Sequence, residues 1–368
     1  MNGKRMTILD VARETGVYYS TVSRALRNDR RIPEPTRLRI RLAARRLGYV
    51  PNRVARSLAH GATHTIGIML TDMQSYFVAP VDEFQNFSDR SSYTLSVHFC
   101  SWDQRRERKG LQHFAEGRVE GVIWAPVQWE GPEFVQSIAD LQAARIPVVM
   151  LGLQRDQQSV PFHQVGAKPA DKLALGLDYL LGRGHRRIGI ATATNLNGQR
   201  GRLHVERLAL LRGLFEARGL PLLADDIFNV VDEDYGGFDI AAELSRRAPP
   251  RPTAIFALDD FLARGLMKGL RVLGLKAPEE ISVLGFDVVG DEAAGRWPLT
   301  SVWLESRRMG ELAVKQLFKI IRREAANTPP QTIIVPPRIV EGGSVGKNET
   351  NSLFLKESHD TDPAKTSS

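Results

Sequence analysis

The stretch Tyr18-Tyr19-Ser20-Thr21, followed by Ser23, Arg24 and Asn28, collects hydroxyls, a guanidinium and an amide in one short segment. Such groups hydrogen-bond to phosphate oxygens and base edges, and an arginine pairs bidentately with a guanine edge. A second group follows Pro51, where Asn52, Arg53, Ala55 and Arg56 surround Leu58. A leucine exposed on a short basic helix can wedge between base steps in the minor groove and kink the duplex. Packing of Leu58 on its own domain is the other reading. Catalytic constellations fare poorly. Gly342-Gly343-Ser344-Val345-Gly346 matches the Gly-x-Ser-x-Gly pattern, but a nucleophile elbow needs a strand before it and a helix after it. Here a polar tail follows. Gly182-Arg183-Gly184 precedes a strand, the wrong order for a dinucleotide loop. The eight histidines are scattered, and His185 is expected to pack at a helix end. No catalytic residue, metal or cofactor is expected.

The elements that would position these groups follow from caps and periods. Thr7 and Asp10 form a helix start, and Ile8, Val11 and Ala12 share one helical face up to Gly16. A second short helix from about Tyr18 to Leu26 turns Val22, Ala25 and Leu26 inward, and Asn28-Asp29 breaks it. A third runs from near Pro33 to Leu47, with Ile40, Ala43, Ala44 and Leu47 at helical spacing and Gly48 after its end. Three short helices with a tight turn between the first two predict a small all-α helix-turn-helix domain. Such a domain sets the start of its second helix in the major groove. Pro51 forbids continuing the third helix. The segment beyond it is too short to be stable alone, so it reads as a linker that is helical only when held. A small helical bundle with a polar face is the alternative to DNA binding.

From Thr65 onward the texture changes. Apolar runs at Ile66–Leu70, Thr94–Phe99, Gly121–Ala125, Pro147–Leu151, Arg187–Ala191, Ala254–Leu258 and Ile281–Phe286 alternate with amphipathic stretches. That order predicts doubly wound parallel α/β sheets. The remaining length suits two such units with a cleft between them. The tail from Val345 is polar and patternless and is expected to be disordered.

Charge supports the division. The net charge is +8, yet residues 1–60 alone carry 14 Lys+Arg against 4 Asp+Glu, leaving the rest slightly acidic. A basic segment on a near-neutral body fits a polyanion-binding module joined to something else. The single cysteine, Cys100, excludes a disulfide framework and any zinc site of several thiolates, and a reducing cytoplasmic location is expected. No run approaches the length of a membrane span, and no secretory signal opens the chain. The Asn348-Glu349-Thr350 sequon is therefore idle.

Thr7-Ile8-Leu9-Asp10-Val11-Ala12, then Gly16-Val17 with Ser20-Thr21-Val22-Ser23-Arg24, then Gly48-Tyr49-Val50-Pro51-Asn52 with Ala55, resemble the LacI/GalR regulator family. Gly184-His185-Arg186-Arg187-Ile188, Pro252-Thr253-Ala254-Ile255-Phe256-Ala257 with Asp260, Ile281–Asp287 and Pro298–Val302 extend the resemblance to about residues 5–345. It implies a headpiece over 1–49, a hinge helix over 50–61 and a periplasmic-binding-protein-like body over 62–344. It further implies an N-subdomain of about 62–170 plus 300–328, and a C-subdomain of about 171–297 plus 331–344. A homodimer would grip a palindromic double-stranded operator through Thr7, Tyr18, Tyr19, Ser20, Thr21, Ser23, Arg24, Asn28, Asn52, Arg53, Ala55 and a wedging Leu58. A small polar effector, such as a sugar, would change the angle between subdomains.

The chain also departs from the family pattern. Tyr18 stands where many members have a helix-capping serine, and Tyr19 and Ser20 stand where the operator is chosen. The family's Val-x-x-Asp-Asn is here Val165-Gly166-Ala167-Lys168-Pro169, and Gly152 replaces a frequent aspartate. Asp72, Arg207 and Asp260 match effector-contacting positions. Phe77, Trp124 and Trp303 are candidate stacking surfaces. Two rivals remain: a DNA-binding regulator whose cleft is vestigial, and a solute-binding protein with an incidental basic N-terminus.

Overall fold

The computed structural model describes residues 6–50, 62–71, 79–91, 93–153, 160–193, 198–231, 233–287, 299–324 and 328–348. The chain divides into two compact units, Met1–Thr63 and His64–Ser368.

The first unit holds α1 (Ile8–Thr15), α2 (Tyr19–Leu26) and α3 (Glu34–Arg46). Asp10 reaches back to accept from the Thr7 backbone N–H at 2.9 Å and from its hydroxyl at 2.7 Å. Gly16 then takes φ +66°, a left-handed conformation that a Cβ would strain, and so ends α1 in a tight turn. Val11, Val22, Ala25, Ile40 and Ala44 bury against one another, flanked by Ile8, Ala12, Val17, Leu26, Ile32, Leu47 and Tyr49. This is the core that the apolar spacing predicts. Glu14 and Arg46 tie α1 to α3 by an ion pair at the surface.

The second unit alternates strand and helix. Its elements begin β1 (Thr65–Leu70), α4 (Ala79–Arg90), β2 (Thr94–Phe99), α5 (Gln104–Glu116), β3 (Gly121–Trp124) and α6 (Pro132–Ala143). β4 (Val148–Leu151), β5 (His163–Gly166), α7 (Pro169–Gly182), β6 (Ile188–Thr192), α8 (Gly198–Glu216), β7 (Ile227–Asn229) and α9 (Glu233–Arg246) come next. The unit continues with β8 (Ala254–Ala257), α10 (Asp260–Val272), β9 (Ser282–Phe286), β10 (Thr300–Trp303), α11 (Ser306–Ile321), β11 (Thr332–Ile334) and β12 (Arg338–Val340). Two six-stranded sheets result, in the orders β11-β5-β4-β3-β1-β2 and β12-β10-β9-β8-β6-β7. All pairings are parallel except β10 with β12. Both sheets repeat one winding, with the second strand outside the first and the rest running the other way. Helices cover both faces, so the inner strands β1, β3, β4, β8 and β9 are buried along almost their whole length and are mostly apolar. No helix among the described residues is long and apolar enough to cross a membrane.

The chain passes between the sheets three times, at Ala167–Lys168, Leu304–Glu305 and Val335–Pro337. Two boundaries therefore differ from the sequence expectation. β10 belongs to the second sheet, paired with β9, and not to the N-subdomain. β11 belongs to the first sheet, paired with β5, and not to the C-subdomain. The connecting α11 packs Met309, Ala313, Leu317 and Phe318 on the first sheet. Buried His163, at the start of β5, ties α11 and the start of β11 to the first sheet, its Nδ1 accepting from Gln331 N and Gln316 Nε2, each at 3.1 Å.

Candidate functional site

The helix-turn-helix face comes first. On α2, Val22 and Ala25 are buried while Tyr19, Ser20 and Arg24 are exposed and Thr21 and Ser23 half-buried. The helical period thus turns one polar face outward, with residues one turn apart lying side by side. Tyr18 occupies the N-cap with extended backbone and no side-chain capping hydrogen bond, and it is 82% exposed. The phenol cannot do what a short serine does there, namely fold back onto the first free N–H groups. Tyr19 is 59% exposed beside it, so two aromatic rings lead this face.

Asn28 ends the helix at φ +61°. Its carboxamide oxygen accepts from Arg37 at 2.9 Å and from Arg41 at 2.5 Å. Asn28 thus clamps two arginines of α3 to the end of α2. Spacing alone gave no sign of those arginines. Thr7 is exposed, but both its donors point to Asp10, which makes it part of the α1 cap. Asn52, Arg53, Ala55 and Leu58, and in the body Asp72 and Phe77, lie outside the described residues.

The second site lies in the body, at the carboxyl ends of the second sheet. β6 is flanked by β7 on one side and β8 on the other, so the winding reverses between β6 and β8. Crevices for ligands form at such a reversal, beyond the strand ends. Arg207 projects from α8, the helix that follows β6. Its guanidinium donates to the Leu258 carbonyl, just after β8, at 2.5 Å, and to Asp287 Oδ2, just after β9, at 2.5 Å. Lys172, from the first turns of α7, donates to Asp287 Oδ1. Both cations also lie against the Phe286 ring, with Lys172 Nζ 4.5 Å and Arg207 Cζ 4.7 Å from its centroid. All three charged residues are buried. Burial draws the Lys172 ammonium below the usual lysine range, opposed by the attraction of Asp287. Asp287 itself sits at φ +66°, rare for a residue with a side chain. Strained backbone and buried charge at a strand end are features that cluster at binding sites.

Asp260 opens α10, but its carboxylate turns inward. Oδ1 accepts from the Phe286 N–H and the Ser301 hydroxyl, each at 2.9 Å. Burial pushes its carboxyl up to about 8 against the pull of those donors. The preceding Asp259 caps the helix by accepting from Phe261 N–H at 2.7 Å. Arg207 and Asp260 therefore share one neighbourhood around Asp287 and Phe286. Lys172 and Asp287 escaped the sequence reading. The Gly285-Phe286-Asp287 ending of a strand was their one usable signal.

Trp124 offers no stacking surface, contrary to the expectation from sequence. It is fully buried, and its indole N–H donates to Glu107 Oε1 at 2.8 Å, as does the Val127 N–H at 2.8 Å. It is a core residue packed with Phe134, and no face of it is open for stacking. Trp303 is half-buried at the end of β10, opposite Arg338 of β12. Ser344 is also structural. Its hydroxyl donates to the Val283 carbonyl at 2.6 Å and accepts from Thr300 N–H at 2.8 Å, which straps the chain across β9 and β10. His185 is buried between Thr253 Oγ1 at 2.9 Å and the Gly346 carbonyl at 3.2 Å. Among the described residues no cluster of three His, Cys, Asp or Glu could hold a metal ion.

Both units of the chain match families of known proteins. The profile for bacterial regulatory proteins of the lacI family matches residues 7–52, and that for a periplasmic binding protein-like domain matches residues 177–345. The HTH-type transcriptional repressor PurR of Vibrio atlanticus is 31% identical, across 92% of this chain and 98% of that protein. The chain belongs to the LacI family. The ribose operon repressor of Escherichia coli is 30% identical, across 92% of this chain and 99% of its own length. In fold, the Lac repressor dimer bound to operator and an anti-inducer aligns with a TM-score of 0.76 at 22% identity, covering 93% of this chain and all of the other. A LacI-family regulator from Silicibacter pomeroyi aligns with a TM-score of 0.77 at 24% identity and 93% coverage of this chain.

Proposed function

We propose that this LacI-family chain is a cytoplasmic transcriptional repressor that binds a palindromic operator as a homodimer. A small hydroxylated effector in the body sets its grip. The observation that carries the DNA half is the exposed polar face of α2 on a headpiece that holds all the excess positive charge. One headpiece makes few base contacts, and two identical ones on one duplex gain avidity. The segment 50–61 is assigned as the hinge, with Leu58 as the wedge. The effector half is supported by Arg207, Asp287, Lys172 and Asp260 meeting at the carboxyl ends of β8 and β9. A buried ion pair is a costly way to stabilise a fold, since desolvation offsets much of the attraction. Placed where the winding reverses, it suits ligand binding better than stability. An effector there would couple to the operator through the three passages between the sheets, as a two-state element.

The test is selection of fragmented genomic DNA by the full chain at moderate salt, beside a 62–368 truncation. Enrichment of one palindrome by the full chain alone supports the reading. Equal enrichment by the truncation removes it. One feature favours a second reading, a regulator with a vestigial cleft: Asp287 is already held by two cations of the same chain. Calorimetry with sugars, sugar acids and purines separates the two, since a vestigial cleft gives no saturable heat.

A further inference from the structure

The sequence offers Asn28 as a DNA contact, yet the structure engages its acceptors inside the headpiece. Arg37 Nη1 donates to the Asn28 main-chain oxygen at 3.2 Å and to its Oδ1 at 2.9 Å. Arg41 Nη2 donates to the same Oδ1 at 2.5 Å. The two arginines stand four residues apart on α3, a spacing at which like charges oppose the helix. A neutral amide draws the two guanidinium groups together and offsets none of their charge. No carboxylate does so either. The unit Met1–Thr63 has four acids, Asp10, Glu14, Asp29 and Glu34. Asp10 pairs with Arg13, Asp29 with Arg31 and Glu14 with Arg46. Glu34 is exposed in the first turn of α3, and among the described residues it forms no ion pair with Arg37 or Arg41. Residues 1–5 and 51–61 contain no acid at all.

Hydrogen-bonding capacity points the same way. A guanidinium has five N–H donors. Among the described residues Arg37 uses only Nη1 and Arg41 only Nη2. Arg37 Nε is buried without a partner. Both arginines are half-buried, so each is held in place while part of it still meets solvent. Fixed arginines with spare donors and no carboxylate suit an oxyanion. Exposed Arg24 stands one turn before Asn28, on the polar face of α2 assigned to DNA. We propose that Arg37 and Arg41 together hold one backbone phosphate of the bound duplex, and that Asn28 is a positioning residue that sets them there without touching DNA. The proposal rests on the DNA-binding reading above and moves one of its contacts from the end of α2 to α3. A phosphate carries no sequence information. The pair therefore adds affinity on any duplex and leaves the choice of operator to α2.

The test is anisotropy titration of the full chain over a salt series on two duplexes of equal length, the palindrome enriched from genomic DNA and a random sequence. Arg41→Gln should weaken both by about tenfold or more, and should reduce the slope of log affinity against log salt by about 0.9 for each headpiece bound. Arg41→Lys should keep most of that slope, since charge alone releases counterions. Asn28→Asp gives the opposing arm. Aspartate tolerates left-handed backbone, so the conformation at φ +61° is kept, and its carboxylate pairs with both arginines. Its Tm should hold or rise, while affinity for both duplexes falls and the salt slope flattens as in Arg41→Gln. A clamp that only joins α2 to α3 predicts the reverse, an Asn28→Asp variant that melts no lower and binds DNA undiminished, and that result overturns the proposal. A folded Arg41→Gln variant with the slope of the unmodified chain also overturns it and leaves the operator reading standing. So does a loss confined to the palindrome, which would make Arg41 a base contact. Failure of the unmodified chain to bind either duplex removes the DNA-binding reading, and this proposal with it.

Discussion

Arg24 stands exposed on the outward face of α2, one turn beyond Ser20. Arg24→Ala should cost roughly 1–3 kcal/mol of operator binding and relax the preference at one base position. Equal losses on operator and random DNA in a titration would make Arg24 a phosphate contact instead. Tyr18 carries a different cost, because it caps α2 without a side-chain acceptor. Tyr18→Ser supplies one and should stabilise the helix start by about 0.5–1 kcal/mol. Slower amide exchange at Ser20 and Thr21 would register the gain, and unchanged exchange would refute it. Glu107 titrates in the body. Burial pushes its carboxyl up to about 7 from the usual 4.5, against the Trp124 and Val127 donors. A carboxyl raised on folding binds its proton more tightly in the native state. Its stabilisation is full below pH 4.5 and is lost as pH climbs towards 7. The wild type should therefore lose stability relative to Glu107→Gln across that window, by at most about 1.4 kcal/mol per pH unit. Denaturant titrations of both proteins at several pH values measure the difference, and parallel curves would contradict it.

Ser344 shows how a catalytic-looking motif becomes an architectural element. Its hydroxyl satisfies a backbone acceptor of β9 and a backbone donor of β10 deep in the body. Ser344→Ala leaves both groups buried without that partner, and the body should lose about 1–3 kcal/mol. An intact Ser344 should also resist a serine-directed fluorophosphonate, and mass-spectrometric labelling of it would overturn the assignment. The elements were legible in the sequence to different degrees, for physical reasons. α1 to α3 could be read because caps, apolar period and breakers agree. β7, β11 and β12 span three residues each, too few to show a period. β5 reads His-Gln-Val-Gly, and its buried polar groups hide it. α8 begins at Gly198, well before the apolar pattern that marks it from about residue 205. Around Asp287 and Phe286, Arg207 and Asp260 are singled out by the resemblance. Lys172 is not, because a lysine near a helix start reads as a solvated surface residue until the fold brings Asp287 to it.

At the scale of the whole molecule, the two units hold charge in opposite ways. Among the described residues of the headpiece, Arg13, Arg24, Arg27, Arg30, Arg31, Arg39, Arg45 and Arg46 are exposed to water, whereas Lys172, Arg207 and Asp287 are buried. Exposed charges meeting DNA displace condensed counterions, and each neutralised phosphate adds about −0.9 to the slope of log affinity against log salt. Two headpieces on one operator, each with Arg24 and its neighbours at the groove, would together reach several phosphates. Operator affinity should then fall on the order of a thousandfold or more between 50 and 200 mM salt. Buried charges are screened far less, so effector affinity should change little over the same range when chloride is varied at constant pH. Anisotropy titrations on operator DNA and calorimetry on the effector, run over one salt series, compare the two slopes directly. A flat operator curve would mean that the basic face does not sit on phosphates. A steep effector curve would mean that the ligand meets exposed charge, such as Lys168, and not the buried pair.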